Sequence, residues 1–231
     1  KKRLLIKKES EKDIINIEKI AKKNNKKINI GMRLNTDTDA KTLKEISTGK
    51  EENKVGLTKK KFVYLIKKYK NSNFINITCL SVHIGSQITN HVPYKRMLDV
   101  VNKTINEAKH KFSYIDLGGG MGIQYKRNSH KLNYKKYNSL IKSFLKKNDV
   151  KIIFEPGRSI IGNVGYLLSK IIYIKQTKKK NFIILDSAMH DMIRQDYYKA
   201  AHMILHSTLS KAKIKKKHKI NRQICDTTNK I

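Results

Sequence analysis

Apolar positions along this chain follow two periods that alternate from one end to the other. Short apolar runs predict strands at residues 3–6, Ile28 to Leu34, Ile75 to Ile84, Ser113 to Leu117 and Lys151 to Phe154. Between them, apolar residues return at helical spacing. Ser10 is a predicted N-cap with acids in the following turn. Ile14, Ile17, Ile20 and Ala21 make the face of the helix it opens. Thr58 caps a second helix, with Phe62, Leu65, Ile66 and Tyr69 as its buried face. Met97, Leu98, Val101, Ile105 and Ala108 define a third, and Tyr137, Leu140, Ile141, Phe144 and Leu145 a fourth. A polar loop fills Asn35 to Gly56. Regular β-α alternation in long units means parallel strands joined by crossover helices. A closed barrel and an open doubly wound sheet both satisfy that pattern. After Gly162 the style changes: Val164 to Ile174 and Asn181 to Leu185 are β-rich runs separated by the polar stretch Lys175 to Lys180, which predicts a hairpin. A boundary near Ile160 divides the chain into residues 1–160 and 161–231, and Ser210 to Lys219 is expected to be a solvated loop.

Charge adds less than its size promises. The 231 residues carry 52 Lys and Arg against 18 Asp and Glu, a formal net charge of +34. Such an excess can draw nucleic acid or anionic membrane. Here only Arg3, Arg33, Arg96, Arg127, Arg158, Arg194 and Arg222 are arginines, and the other 45 cations are lysines spread along the whole chain. They do not form one stripe interleaved with aromatic residues. With asparagine and isoleucine also abundant, the pattern reads as drift toward adenine- and thymine-rich codons, and nucleic acid is not expected as a partner. The few arginines become informative, because a planar fork is retained where lysine would serve as a generic cation. Two cysteines give no disulfide framework, so a reducing cytoplasm is expected. No apolar run reaches the ~20 residues that span a bilayer, and no signal peptide or membrane partner is expected. The chain opens on Lys1, and its first residues read as the interior of something longer.

Candidate chemistry sits where strands end. Ile152 to Phe154 leads into Glu155-Pro156-Gly157-Arg158-Ser159, an acid, a rigid turn and a cation. Gly118-Gly119-Gly120-Met121-Gly122 follows another strand and is not the dinucleotide fingerprint, since the third glycine falls on Ile123 or Tyr125. Consecutive glycines can still present backbone N–H groups to a phosphate. Ser81-Val82-His83-Ile84-Gly85-Ser86-Gln87 ends a third strand with an imidazole and a hydroxyl. No Cys or His stands at metal-ligand spacing from His83, so zinc is not expected. Arg194 and Tyr198 share a face if their stretch is helical, a natural grip for a carboxylate. Cys225 and Asp226 set a thiol beside an acid.

Taken in order, Arg33-Leu34-Asn35, Ile46-Ser47-Thr48-Gly49, His83 to Gln87, Gly118 to Ile123, Glu155 to Ser159, Ile193-Arg194 with Tyr198, and Cys225 resemble diaminopimelate decarboxylase. That family consists of fold-type III pyridoxal-phosphate enzymes related to ornithine decarboxylase. The resemblance implies an α/β fold: part of a (β/α)₈ TIM-type barrel over residues 1–160, then part of a C-terminal β-domain over 161–231. It implies homodimers with shared active sites and conversion of meso-2,6-diaminopimelate to L-lysine and CO₂. Pyridoxal 5′-phosphate would be held by Ser86, Gly118, Gly119, Gly120, Pro156, Gly157 and Arg158. His83 would stack on its ring, and Glu155 would pair with the ring nitrogen. Arg158, Arg194, Tyr198 and Asp226 would meet the substrate, and Cys225 would return a proton to the α-carbon. The family's Schiff-base lysine lies in a Tyr-Ala-x-Lys context, which this sequence does not contain. Around Cys225 the family has Cys-Glu-Ser, whereas this chain has Cys225-Asp226-Thr227. A non-catalytic remnant, or a decarboxylase of ornithine, arginine or a carboxypolyamine, are the alternatives; Arg194 separates the latter, since a distal carboxylate needs it and a distal amine does not.

Overall fold

A computed structural model describes residues 5–40, 55–125, 129–178, 181–193 and 202. It separates the chain into two compact units, one of Lys1–Ile123 with His130–Asn163, the other of Gln124–Ser129 with Val164–Ile231. In the first unit, strands β1 (Ile6–Lys8), β2 (Ile28–Arg33), β3 (Ile75–Ser81), β4 (Tyr114–Asp116) and β5 (Lys151–Ile153) alternate with helices α1 (Glu11–Lys23), α2 (Lys59–Tyr69), α3 (Val92–Ala108) and α4 (Tyr134–Leu145), and α5 (Arg158–Ile161) follows. The five strands are all parallel and lie in the order β1-β2-β3-β4-β5. A doubly wound sheet reverses its strand order at a switch point. Uninterrupted order, with right-handed crossovers, is the arrangement of successive barrel strands, and it decides between the two architectures that the sequence pattern left open.

Local sequence sets the helix starts. Ser10 Oγ accepts from the Asp13 N–H at 3.2 Å and donates to the Asp13 carboxylate at 2.7 Å. Thr58 and Asn133 cap α2 and α4 in the same way. Their stripes meet the sheet in one core, where Ile14, Phe62, Leu65, Met97, Val101, Tyr137 and Phe144 pack on Ile30, Met32, Ile75, Ile77, Leu80 and Ile115. Ile20 departs from expectation and is 64% exposed. It lies six residues beyond Ile14, about 120° round the helix from it, whereas Ala21 falls back on the buried stripe.

Side chains alternate across a strand, so the residues between these core positions point to the other face. Asn29, Gly31 and Arg33 do so from β2, Asn76 from β3 and Asp116 from β4; Asn76 donates to Asn29 at 2.8 Å. The β2–β3 register slips between Ile30 and Gly31, which pair with Ile77 and Cys79. The extra residue, Thr78, is a bulge that reverses the alternation and turns Cys79 and Ser81 to the polar face. This bulged strand ends at Ser81, three residues earlier than the apolar run predicts, so His83 stands in the loop beyond it.

In the second unit, β6 (Ile171–Gln176) and β7 (Asn181–Leu185) form the antiparallel hairpin. Its first strand starts later than expected, at Ile171, and runs into the polar stretch as far as Gln176. Asp186 closes its base, accepting from Ser169 Oγ and the Lys170 N–H at 2.8 Å each. Those two donors hold its carboxyl below the usual value. Among the described residues, no helix is long and apolar enough to cross a membrane.

Candidate active site

The C-terminal ends of β1, β2, β3 and β5 converge on one cavity of about 320 Å³, lined by Lys7, Lys8, Glu9, Arg33, Ser81, His83 and Glu155. This is the end of such a sheet where ligands bind. Loop after loop is pinned there by its own sequence. The segment leaving β4 turns through Gly118 (φ +64) and Gly120 (φ +88), left-handed positions that a side chain resists. Gly119 is required for a different reason. A Cβ on it would lie 2.1 Å from the Glu155 carbonyl oxygen, so the loops after β4 and β5 touch backbone to backbone. The Glu155 N–H donates to the Gly118 carbonyl at 2.8 Å, and the buried Tyr94 hydroxyl donates to the Gly119 carbonyl at 3.3 Å.

The glycine run therefore does more than expose amides. The Gly118 N–H donates to Asp116 Oδ1 at 2.9 Å, and the Gly119 N–H donates to His83 Nδ1 at 3.3 Å. Sequence reasoning treated both as open donors. The His83 bond leaves the imidazole proton on Nε2. Burial, and then the Arg33 charge, push His83 below the ordinary histidine value. A neutral, flat ring thus faces the cavity beside a carboxylate. Arg33 donates to the His83 carbonyl at 3.4 Å and pairs with Glu9 at 3.6 Å. Burial draws Arg33 down, against the pull of Glu9, Glu155 and Asp116.

One cation of the cavity was not singled out from the sequence. Lys7 Nζ donates to Asp116 Oδ2 at 2.6 Å and also to Glu155 Oε1. Burial disfavours its charge, but the two carboxylates outweigh that and hold Lys7 above its usual value. Its stem lies over Gly31, its register partner, where a Cβ would come within 3.1 Å of Lys7 Cγ. Asp116 is fully buried. Its signal in the sequence was a lone acid inside the apolar run Tyr114 to Leu117. Next to it Cys79 is a buried thiol pushed up to about 12, first by burial and then by Asp116.

Of the residues singled out from the sequence, His83 and Glu155 line the cavity, while Ser86, Gly118, Gly119, Gly120, Pro156, Gly157 and Arg158 are not among its lining residues. Arg158 Nη1 donates to Gln87 Oε1 at 3.2 Å. Gln87, held at φ +61, also accepts from the Ile123 N–H and donates to the Ile123 carbonyl at 2.6 Å. It is a second missed residue, tying the loop after β3 to Arg158. A Cβ on Gly157 would meet nothing within 4 Å. Arg194, Tyr198, Cys225 and Asp226 lie outside the described residues.

A cavity that offers a carboxylate and a neutral imidazole face fits a flat, cationic aromatic ring. Comparison with known proteins points to the same class. The family model described as pyridoxal-dependent decarboxylase, pyridoxal binding domain, matches residues 5–162. The chain belongs to the pyridoxal-dependent decarboxylases. Within them it is similar to diaminopimelate decarboxylases: 36% identical to that of Zymomonas mobilis over 201 residues, and 36% identical to that of Aquifex aeolicus over 204 residues. Each match takes in 85% of this chain and 48% of the relative, so the chain spans about half the length of the curated relatives it matches. The crystal structure of Helicobacter pylori diaminopimelate decarboxylase complexed with L-lysine superposes with a TM-score of 0.83 at 34% identity, over 90% of this chain and 53% of that one. A Paramecium bursaria Chlorella virus arginine decarboxylase, 21% identical with a TM-score of 0.64, shares the fold.

Proposed function

We propose that the chain contributes the cofactor-binding half of a diaminopimelate decarboxylase, which converts meso-2,6-diaminopimelate to L-lysine and CO₂ in the cytoplasm. The observation that carries this reading is the convergence of Glu155 and neutral His83 on one cavity at the strand ends. When bound, pyridoxal 5′-phosphate supplies an electron sink for the pair left on the α-carbon as CO₂ departs. Glu155 takes the protonated ring nitrogen, whose charge a neighbouring carboxylate favours. His83 covers one ring face and keeps water from it. Ser86, the Gly118–Gly120 run and Gly157 bound the phosphate end, with Pro156 fixing the turn. The open Cβ direction of Gly157 supports that assignment, and Gln87 steadies Arg158 beside it.

Residues 1–160 then act as barrel and 161–231 as part of a β-domain. Arg158, Arg194 and Tyr198 hold substrate carboxylates, Asp226 takes the place of the family glutamate, and Cys225 protonates the α-carbon across a homodimer interface. These 231 residues contain no Tyr-Ala-x-Lys, the context in which the family carries its covalent lysine anchor. The test is CO₂ release from meso-diaminopimelate when the chain is mixed with the Tyr-Ala-x-Lys half of the Zymomonas mobilis relative. Release that Glu155→Gln abolishes is expected. Release from ornithine or arginine in preference to diaminopimelate would overturn the substrate, and turnover by the chain alone would overturn the missing anchor.

A further inference from the structure

The geometry points to Lys7 as the site's resident counter-ion: its ammonium holds the Glu155 carboxylate, and the cofactor's ring nitrogen must displace it to bind. This inference rests on the function proposed above and concerns a residue which that function does not use. Three observations carry it. Lys7 Nζ is shared between Asp116, 1% exposed in its side chain, and Glu155, 49% exposed. Glu155 is thus the partner that a ligand can reach, and Asp116 is the one it cannot. The Lys7 stem has a built path, since Gly31 leaves the space it crosses and a Cβ there would press on Lys7 Cγ at 3.1 Å and on Cys79 Cβ at 3.2 Å. Finally, β1 and β5 are the two edges of the sheet, so no backbone ladder holds Lys7 to Glu155. Their pairing depends on side chains alone and can be exchanged without breaking a strand.

Lys7 gives up Glu155 to the protonated ring nitrogen and keeps Asp116. One cationic N–H donor replaces another on Glu155, no covalent bond changes, and the buried carboxylate stays paired throughout. The same amine is a poor nucleophile while two carboxylates keep it protonated. Its closeness to the cavity therefore does not make it a substitute for the absent covalent anchor.

The probe is pyridoxamine 5′-phosphate, which has no aldehyde, so that binding is independent of any lysine anchor. Titrated into the full chain and followed by fluorescence, it should bind Lys7→Met about two- to fivefold more tightly than the natural chain, as the loss of a half-exposed competing ion pair implies. Lys7→Met/Glu155→Gln should lose that gain. Because Lys7→Met strands Asp116, Lys7→Met/Asp116→Asn is measured alongside; its amide oxygen still accepts from Gly118, and the same gain is expected. Equal or weaker binding by both Lys7 variants, with unchanged circular dichroism, overturns the inference and leaves the proposed function standing. If no protein binds the probe, the proposed function falls and the inference with it. Borohydride treatment with pyridoxal 5′-phosphate should leave Lys7 unmodified in peptide mass spectra; a pyridoxyl adduct there would make Lys7 a nucleophile and refute the counter-ion role.

Discussion

A side chain at Gly119 would meet backbone and one at Gly157 would meet open space, and alanine separates the two. At Gly119 a methyl would stand 2.1 Å from the Glu155 oxygen and 3.1 Å from its carbonyl carbon, where ordinary contact begins at 3.4 Å. The loops after β4 and β5 must part by about 1 Å to admit it. Overpacking of that kind costs about 1–3 kcal/mol. Parting also weakens the 2.8 Å bond from the Glu155 N–H to Gly118, worth about 1 kcal/mol. Gly119→Ala should therefore lose about 2–4 kcal/mol, and a urea midpoint followed by far-ultraviolet circular dichroism should fall by about 1–2 M. At Gly157 the methyl enters open space, so Gly157→Ala should unfold within about 0.5 kcal/mol of the natural chain. It should nevertheless weaken pyridoxamine 5′-phosphate binding, because the space it fills is the space assigned to the ligand. A Gly119→Ala protein as stable as the parent would refute the backbone contact between the two loops. A Gly157→Ala protein that binds normally would remove that glycine from the phosphate end.

Three further outcomes follow from the site's titrations and burial. Lys7 has a raised value in the folded chain, so its contribution is complete below the unfolded value near 10.5 and is lost as pH rises through the higher folded value; melting curves from pH 8 to 12 should show the natural chain losing an advantage over Lys7→Met/Asp116→Asn, and a constant difference would count against the ion cluster. His83 has a lowered value, so its contribution is present above about 6.5 and is lost as pH falls through the lower folded value. His83→Gln should flatten the stability profile below pH 6.5, and an unchanged profile would mean that the ring is not buried as described. Cys79, pushed up to about 12, should resist a thiol reagent at pH 8 until urea unfolds the chain; labelling at the rate of a free peptide thiol would contradict its burial.

Legibility in the sequence divided along the range of the interactions involved. Helix starts at Ser10 and Thr58 are local hydrogen bonds of a side chain to a backbone three residues on, so they can be read from a few letters. Strand existence was equally plain, but the end of β3 was not. The apolar run continues through Val82 and Ile84 into a loop that is itself buried, and apolar content cannot distinguish the two. Sheet order was illegible for a topological reason, because right-handed β-α units look alike whether the next strand continues or reverses the order. Among site residues, Glu155 and His83 stood out as rare residue types at strand ends. Lys7 had no such contrast. It is one of 45 lysines, beside Lys8, and its importance arises only when Gly31 opens its path and Asp116 and Glu155 arrive from β4 and β5.

That dependence changes how the chain's basic composition is understood. A drift toward lysine is harmless on solvated helix faces, where an added cation finds water. At the C-terminal end of the sheet a lysine instead meets a buried carboxylate, and the ion cluster it forms reaches from one edge strand to the segment that follows the other. Asp116 then cannot lose its partner without standing as a buried charge, which costs several kcal/mol, whereas Glu155 can, because water reaches half of it. The division of labour between the two acids follows from burial alone: Asp116 retains the lysine, and Glu155 is the carboxylate a ligand can claim.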